Sequence, residues 1–288
     1  MELRQLKYFL KAKELLNFTS AAEELYISQS TLSQQIKQLE IELGVPLFDR
    51  IGKRIVLTQA GEEFSVYAKK SLDKSKEGYL AMQDLRELKS GKLEIGVSYG
   101  LRLTLLAALK SFTSKFPSIQ IQITFNTTQT LIHLLEESKL DFILTFKDDF
   151  YYTNLEYTPL FSSKMSFVTT KENDLNRKEI KLEEVVNYPL IMPSMEYSTT
   201  HFIIDALREK NIKPNFSIEI NDIPTLIEMV KTGQWYTILA QTTISSDTDL
   251  KSIPIKGKNM EREAVIISQK EAYKTMAMQK FLEILKQV

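Results

Sequence analysis

Two sets of side chains in this 288-residue sequence have types and spacings that could do chemistry. The first is Gly96-Val97-Ser98-Tyr99-Gly100, a G-x-S-x-G run where an alternating stretch gives way to a helical one. A hydrolase presents its serine nucleophile in such a setting. Only His133 and His201 could act as base. Five residues match this pattern readily by chance, and the strand is the first of its domain, so no earlier strand supplies an oxyanion loop. His133 falls mid-helix among Leu131, Leu134 and Leu135, as a plain surface histidine would. The turn suits a receptor better. The Ser98 hydroxyl and the amides up to Gly100, at the N-terminus of the helix from Leu101, fit a carboxylate or other small anion. Thr127, Thr128, Ser194 and Asn221 follow other strands and converge on the same crevice, because ligands of open α/β sheets bind outside the carboxyl ends of strands. For each residue alone, ordinary capping of a loop is the competing explanation. Two histidines and no cysteine give no metal-ligand spacing, and no phosphate-binding loop is present, so no cofactor is expected.

The second set is Gln29, Ser30, Thr31, Ser33, Gln34 and Lys37. Leu32, Ile36, Leu39 and Leu43 recur at helical spacing and define one buried stripe. At about 100° per residue the opposite face carries Ser30, Ser33, Gln34 and Lys37, flanked at its start by Gln29 and Thr31. Amides and hydroxyls pair with base edges, and Lys with phosphate or guanine, as a helix entering the major groove requires near its N-terminus.

Such a helix has to be held by its neighbours. Before it, Thr19 or Ser20 caps a short helix, and Ser20 with Glu23 has capping-box spacing. Thr19, at the head of that helix, joins the DNA-facing set. Ala21, Ala22 and Leu25 face inward, Tyr26-Ile27-Ser28 turns, and Ser28 caps the next helix. A first helix over about residues 3–16 turns Leu3, Leu6, Phe9, Leu10 and Leu16 towards the pair. Gly44 and Pro46 end the polar-faced helix. Two short apolar pieces around Gly52 then read as a wing, with Arg50, Lys53 and Arg54 placed for phosphate or a minor groove. The pair alone also fits an ordinary hairpin with a solvated face; the wing favours the DNA reading.

Residues 18–62, FTSAAEELYISQSTLSQQIKQLEIELGVPLFDRIGKRIVLTQAGE, resemble the LysR-type transcriptional regulators without a gap. One position departs: the basic residue common after the recognition-helix serine is Gln34 here, which bears on the base sequence preferred. A long helix from Thr58 to about Lys89 follows. Ala68, Leu72, Ser75, Tyr79 and Met82 keep four-three spacing in it, with Phe64 and Leu85 near the same seam. A narrow apolar stripe of this length is usually half of a helix pair; packing on its own chain is the alternative. The resemblance favours a dimerising linker helix, and two recognition helices can then read half-sites about one turn apart.

After Ser90-Gly91 the period changes. Strands over 92–97, 119–125, 141–145, 164–169, 190–192, 216–220, 236–240 and 265–268 alternate with helices over 101–116, 128–138, 182–187, 200–210, 223–232 and 271–287. That order argues a parallel α/β sheet. Ile119, Ile121, Ile123 and Phe125 share one strand face. The expected fold class is α/β: an all-α winged helix-turn-helix at 1–58, a linker helix at 59–89 and an effector domain at 90–288. By the resemblance, that domain is of the periplasmic-binding-protein type. It has one subdomain at about 90–160 plus 265–288 and another at about 161–264, the chain crossing near 160 and 264. Trp235 and Ala240 stand where the family often has Gly and Pro, so an indole is expected to alter a cleft wall.

The chain carries 37 basic against 37 acidic residues, and residues 1–60 carry eight against seven. Any DNA affinity must therefore come from placement and fall steeply with salt. Absence of cysteine fits a reducing compartment. The opening segment is amphipathic with no signal-peptide run, and no stretch is apolar enough to span a membrane. A cytoplasmic, non-enzymatic regulator is expected. Its partners are a double-stranded operator, a small-molecule effector with a small anion as candidate, a second copy in a homodimer or homotetramer, and RNA polymerase as a further candidate; a membrane is not among them. The rival functions are a small-molecule receptor that does not regulate DNA and a serine hydrolase using Ser98.

Overall fold

The computed structural model describes residues 1–51, 54–84, 91–148, 151–257 and 259–287, and omits the side chains of residues 50, 51, 54 and 83. The chain forms two compact units, Met1–Leu85 and Arg86–Val288.

In the first unit, α1 (Leu3–Leu15), α2 (Phe18–Glu24) and α3 (Gln29–Leu43) precede a hairpin of β1 (Phe48–Ile51) and β2 (Arg54–Leu57), then α4 (Gln59–Asp84). Leu6, Phe9, Ala12, Ala21, Ala22, Leu32, Ile36 and Leu39 are buried together. The ring of Phe9 meets those of Phe48 and Phe64 at 5.5 and 5.4 Å. Two expectations fail near the first turn. Leu16 takes a left-handed φ of 45°, so α1 stops before it and its side chain stays exposed. Leu3 is exposed as well, while Gln5 and Ala12 take inward places. The cap of α2 is then Asn17, whose Oδ1 accepts from the Thr19 and Ser20 N–H groups, and not Thr19 or Ser20.

Thr58 caps α4, its Oγ1 accepting from Gly61 N at 2.9 Å. Gly61 is required there, since a Cβ would lie 2.3 Å from the Leu47 carbonyl oxygen. Ala68 is buried in the first unit's core, with Phe64 and Leu72 packed against it. Beyond them Ser75, Tyr79 and Met82 are exposed; Leu85 lies outside the described residues.

The second unit opens with β3 (Gly91–Val97), a 3-10 turn at Tyr99–Leu101, α5 (Arg102–Lys115), β4 (Ile119–Phe125), α6 (Thr128–Glu136), β5 (Phe142–Phe146) and the 16-residue β6 (Leu155–Thr170). It continues through β7 (Ile180–Lys181), α7 (Leu182–Val185), β8 (Leu190–Pro193), α8 (Ser198–Glu209), β9 (Phe216–Ile220), α9 (Ile223–Lys231) and β10 (Thr237–Ala240). It ends with β11 (Leu250–Lys256), β12 (Glu261–Gln269) and α10 (Met276–Leu285).

β4, β3 and β5 are parallel, but β12 runs antiparallel to β5 and β6, and β6 is antiparallel to β10 and β11. The sheet is therefore mixed, a correction to the parallel expectation. The cause is topological: β6 leaves the first half and β12 returns to it, so the two crossing strands run in opposite senses. β6 passes straight through Pro159, where the register with β12 shifts between Ala264 and Val265. A proline that cannot donate is tolerated at such a bulge. In the first half α5 and α10 cover one sheet face, through Phe112 and Phe281 (ring centroids 5.1 Å apart), and α6 covers the other through Leu131 and Leu135. Because β4 is an edge strand, Ile121 and Ile123 are only half-buried and Phe125 is exposed. The last helix begins at Met276, where Thr275 caps it, later than the expected 271.

Candidate DNA-reading face and ligand cleft

The first unit presents α3 by its polar side. Tyr26, with φ 56°, closes the turn, and Ser28 Oγ accepts from Thr31 N at 3.1 Å to start the helix. Gly44, with φ 73°, ends it. Thr19, Gln29, Ser30, Thr31, Gln34 and Lys37 are exposed, and Ser33 is half-buried. The hydroxyls of Ser30 and Thr31 sit 2.9 and 2.7 Å from Ser28 Oγ, so they are already engaged locally. Gln29, Gln34 and Lys37 are exposed and make no side-chain hydrogen bond among the described residues.

A residue that spacing did not single out ties this helix to the wing. Glu40 Oε1 accepts from the backbone N–H groups of Leu47 (2.8 Å) and Phe48 (3.1 Å), fixing where β1 begins. Only a reading of the loop's orphan amides would have found it. Arg50 and Arg54 stand on the paired strands, but their side chains, and Lys53 entirely, lie outside the described residues.

In the second unit a cavity of about 30 Å³ opens among Ser98, Gly100, Thr127, Thr128, Phe146 and Ser198, with Tyr99, Asn126, Pro193, Tyr197, Thr199, Ile223, Leu239 and Thr243 completing its wall. The 3-10 turn leading into α5 starts here, as do α6, α8 and α9. No lining side chain carries a formal charge, and the amide-rich helix starts that open here favour an anion.

Ser98 donates its N–H to the Leu144 carbonyl at 2.9 Å, while its buried Oγ has no hydrogen-bond partner among the described residues. Thr128 Oγ1 is held by Thr145 Oγ1 at 2.6 Å, and Thr127 caps α6. Gly100 permits close approach: a Cβ would sit 2.7 Å from the Phe146 ring. Tyr197 donates its hydroxyl to the Asn221 carbonyl at 2.6 Å, and burial, then the nearby Glu196 and Asp222 charges, push its phenol pKa up.

Of the six residues expected at this crevice, Ser98, Gly100, Thr127 and Thr128 line it. Ser194 and Asn221 do not; Ser194 donates to Glu196 Oε1 and Asn221 is exposed. Neither histidine reaches it. His133 is 70% exposed beside Glu137, and His201 is exposed on α8. Trp235 packs on the Leu226, Val230 and Leu239 cluster instead of lining the cavity. The wall residues that sequence reading passed over, such as Phe146 and Leu239, belong to strands and were legible only as core.

Residues 3–62 match the family model for bacterial regulatory helix-turn-helix proteins of the lysR family, and residues 86–288 match the LysR substrate binding domain. The chain is 27% identical to the HTH-type transcriptional regulator BsdA of Bacillus subtilis (strain 168), across 99% of this chain and 100% of that one. Among solved structures, a full-length OxyR variant from Pseudomonas aeruginosa has a TM-score of 0.72 at 21% identity, covering 100% of this chain and 94% of that one. Full-length CbnR in complex with its target DNA has a TM-score of 0.64 at 21% identity, covering 100% and 99%.

Proposed function

The chain belongs to the LysR family of DNA-binding transcriptional regulators with an effector-binding domain, and on that premise we propose how its own residues divide the work. Gln34, with Gln29, Ser30, Thr31 and Ser33, contacts base edges, and Lys37 a phosphate of the groove wall. Thr19, Arg50, Lys53 and Arg54 hold phosphate on either side. A second copy pairs through the seam of α4, so that residues 1–58 read DNA, 59–89 join two copies and 90–288 bind the effector. RNA polymerase is the partner through which a bound regulator would act.

The observation that carries the DNA reading is the exposed polar face of α3, capped by Ser28 and braced to the wing by Glu40. The effector is a small anion seated at Ser98, Gly100, Thr127 and Thr128, where helix N-termini supply the positive field that uncharged side chains do not.

The test is binding to duplexes selected from a random pool by the full chain. Replacing Gln34 with Ala should relax preference at one base pair, a loss of about 1–3 kcal/mol for the preferred base. Replacing Lys37 with Ala should weaken all duplexes alike and lower the salt slope by about one. Unchanged affinity and preference in both variants would show that another face docks. For the cleft, native mass spectrometry of protein from its source should show a bound small molecule that Ser98→Ala loses.

A further inference from the structure

Arg262 is a charged side chain held almost out of solvent beside the cavity. It is 3% exposed and sits on β12, just before the register shift where the two crossing strands change halves. Its Nη2 donates to Asp148 Oδ1 at 2.7 Å, to the Lys147 carbonyl at 3.1 Å and to Ser198 Oγ at 3.2 Å. Its guanidinium carbon also lies over two rings, 5.3 Å from the centroid of Phe146 and 5.2 Å from that of Phe202.

These partners come from both sides of the cleft. Phe146, Lys147 and Asp148 are the end of β5 and the residues after it, in the first half; Ser198 and Phe202 belong to α8, in the second. Two of them, Phe146 and Ser198, line the cavity directly.

We propose that Arg262 is the latch between the two halves of the effector domain: it clamps the end of β5 to the start of α8, and a change in cleft width has to exchange its contact with Ser198. Which contact yields first follows from their strengths. The bond to Asp148 is short and joins opposite charges, and such bonds are roughly twice as strong as neutral ones. The bond to Ser198 is longer, and its acceptor is a neutral hydroxyl. One nitrogen with two hydrogens also serves three acceptors, so at least one bond is shared. When the halves separate, the guanidinium stays with Asp148 and Phe146, and α8 leaves with Ser198 and Phe202.

The cavity volume gives the latch something to respond to. About 30 Å³ holds on the order of two waters at ~10–15 Å³ of centre space each. An effector seated here touches residues of both halves, and it shifts the population only by binding one cleft width better than the other. This last step rests on the cleft being the effector site; the latch itself does not.

A distance measurement on the full chain tests it. The sequence contains no cysteine, so Lys110→Cys on α5 and Gln234→Cys after α9, both at exposed positions, give one spin-label pair reporting across the cleft. With labelled chain diluted into excess unlabelled chain, so that each oligomer carries one pair, electron–electron resonance should show one narrow distance distribution in the parent. Ser198→Ala, which removes only the α8 bond, should add a second, displaced population. Arg262→Met should move most of the distribution there, and Arg262→Lys should recover part of the parent population, since an ammonium keeps the charge but not the planar fork. If Ser198→Ala and Arg262→Lys both fold and keep the parent distribution, the latch is refuted, even should Arg262→Met fail to fold. Failure to detect an effector by native mass spectrometry would leave these distances unaffected, so the two readings fail separately.

Discussion

Glu40 fixes the entry to the wing through a single carboxylate oxygen. Its Oε1 accepts two backbone N–H groups at the entry to β1, and a hydrogen bond to a charged group contributes about 1.5–3 kcal/mol. Glu40→Ala should destabilise the first unit by about 2 kcal/mol and weaken binding to every duplex, because the wing loses its fixed start. Glu40→Gln should recover most of both effects, since an amide oxygen still accepts. Urea unfolding and fluorescence anisotropy on the three proteins check this; equal affinity for Glu40→Ala and parent would remove the wing from recognition. Capping was less readable at this scale. Ser28 was legible because the Leu32, Ile36, Leu39 and Leu43 stripe and the turn at Tyr26-Ile27 put the helix start beside it, although Ser30 and Thr31 stand close by. Asn17 was not: three cap-competent residues, Asn17, Thr19 and Ser20, stand close together. The choice was made by the left-handed turn at Leu16, a conformation that leucine does not advertise.

Among elements, periodic segments with clean ends were legible and the crossing strands were not. β6 contains Pro159, which reads as a break in a linear sequence but stands opposite Val265 beside the bulge at Leu160. β11 was missed because Pro254 interrupts its apolar pattern, yet this residue pairs across to Ser166. The loop between β10 and β11 is fastened to α9 by an ion pair that gives a pH-dependent prediction. Lys231 Nζ lies 2.9 Å from Asp247 Oδ2, and its hydrogen bonds to Asp247 and Glu228 push its pKa up to about 12. Burial would raise the Asp247 pKa, but the bonds from Lys231 and from the Asp249 and Leu250 amides outweigh it and hold the carboxyl below its usual range. A depressed folded-state pKa adds stability above the unfolded value and loses it as pH falls through the folded one. Asp247→Asn should therefore cost about 0.5–1 kcal/mol at neutral pH, as partly exposed pairs do. The gap to the parent should close below about pH 4, the unfolded carboxyl range. Urea midpoints across that range decide it; a gap independent of pH would assign the effect to the loop's backbone and not to charge.

At the scale of the whole molecule, the seam of α4 changes character along its length. Ala68 and Leu72 meet the first unit's own core, whereas Tyr79 and Met82, further along the same seam, are 65% and 62% exposed. A stripe half covered by its own chain and half bare is what a pairing helix leaves for its partner. Sequence period alone could not separate self-packing from pairing, because both use the same residues; burial divides them at about Leu72. Tyr79→Asp with Met82→Asp should lower the oligomeric state by sedimentation at concentrations where the parent is oligomeric, with the thermal midpoint of the first unit nearly unchanged, since neither side chain belongs to its core. Binding to a single half-site should stay as it was. Binding to an inverted repeat should fall by about 10²–10⁴, the advantage that linking two modules ordinarily confers. The decisive comparison is between the two duplexes. Equal losses on both would mean that the substitutions damaged the reading head, and equal retention on both, in a protein of lowered oligomeric state, would mean that pairing through α4 contributes nothing to operator recognition.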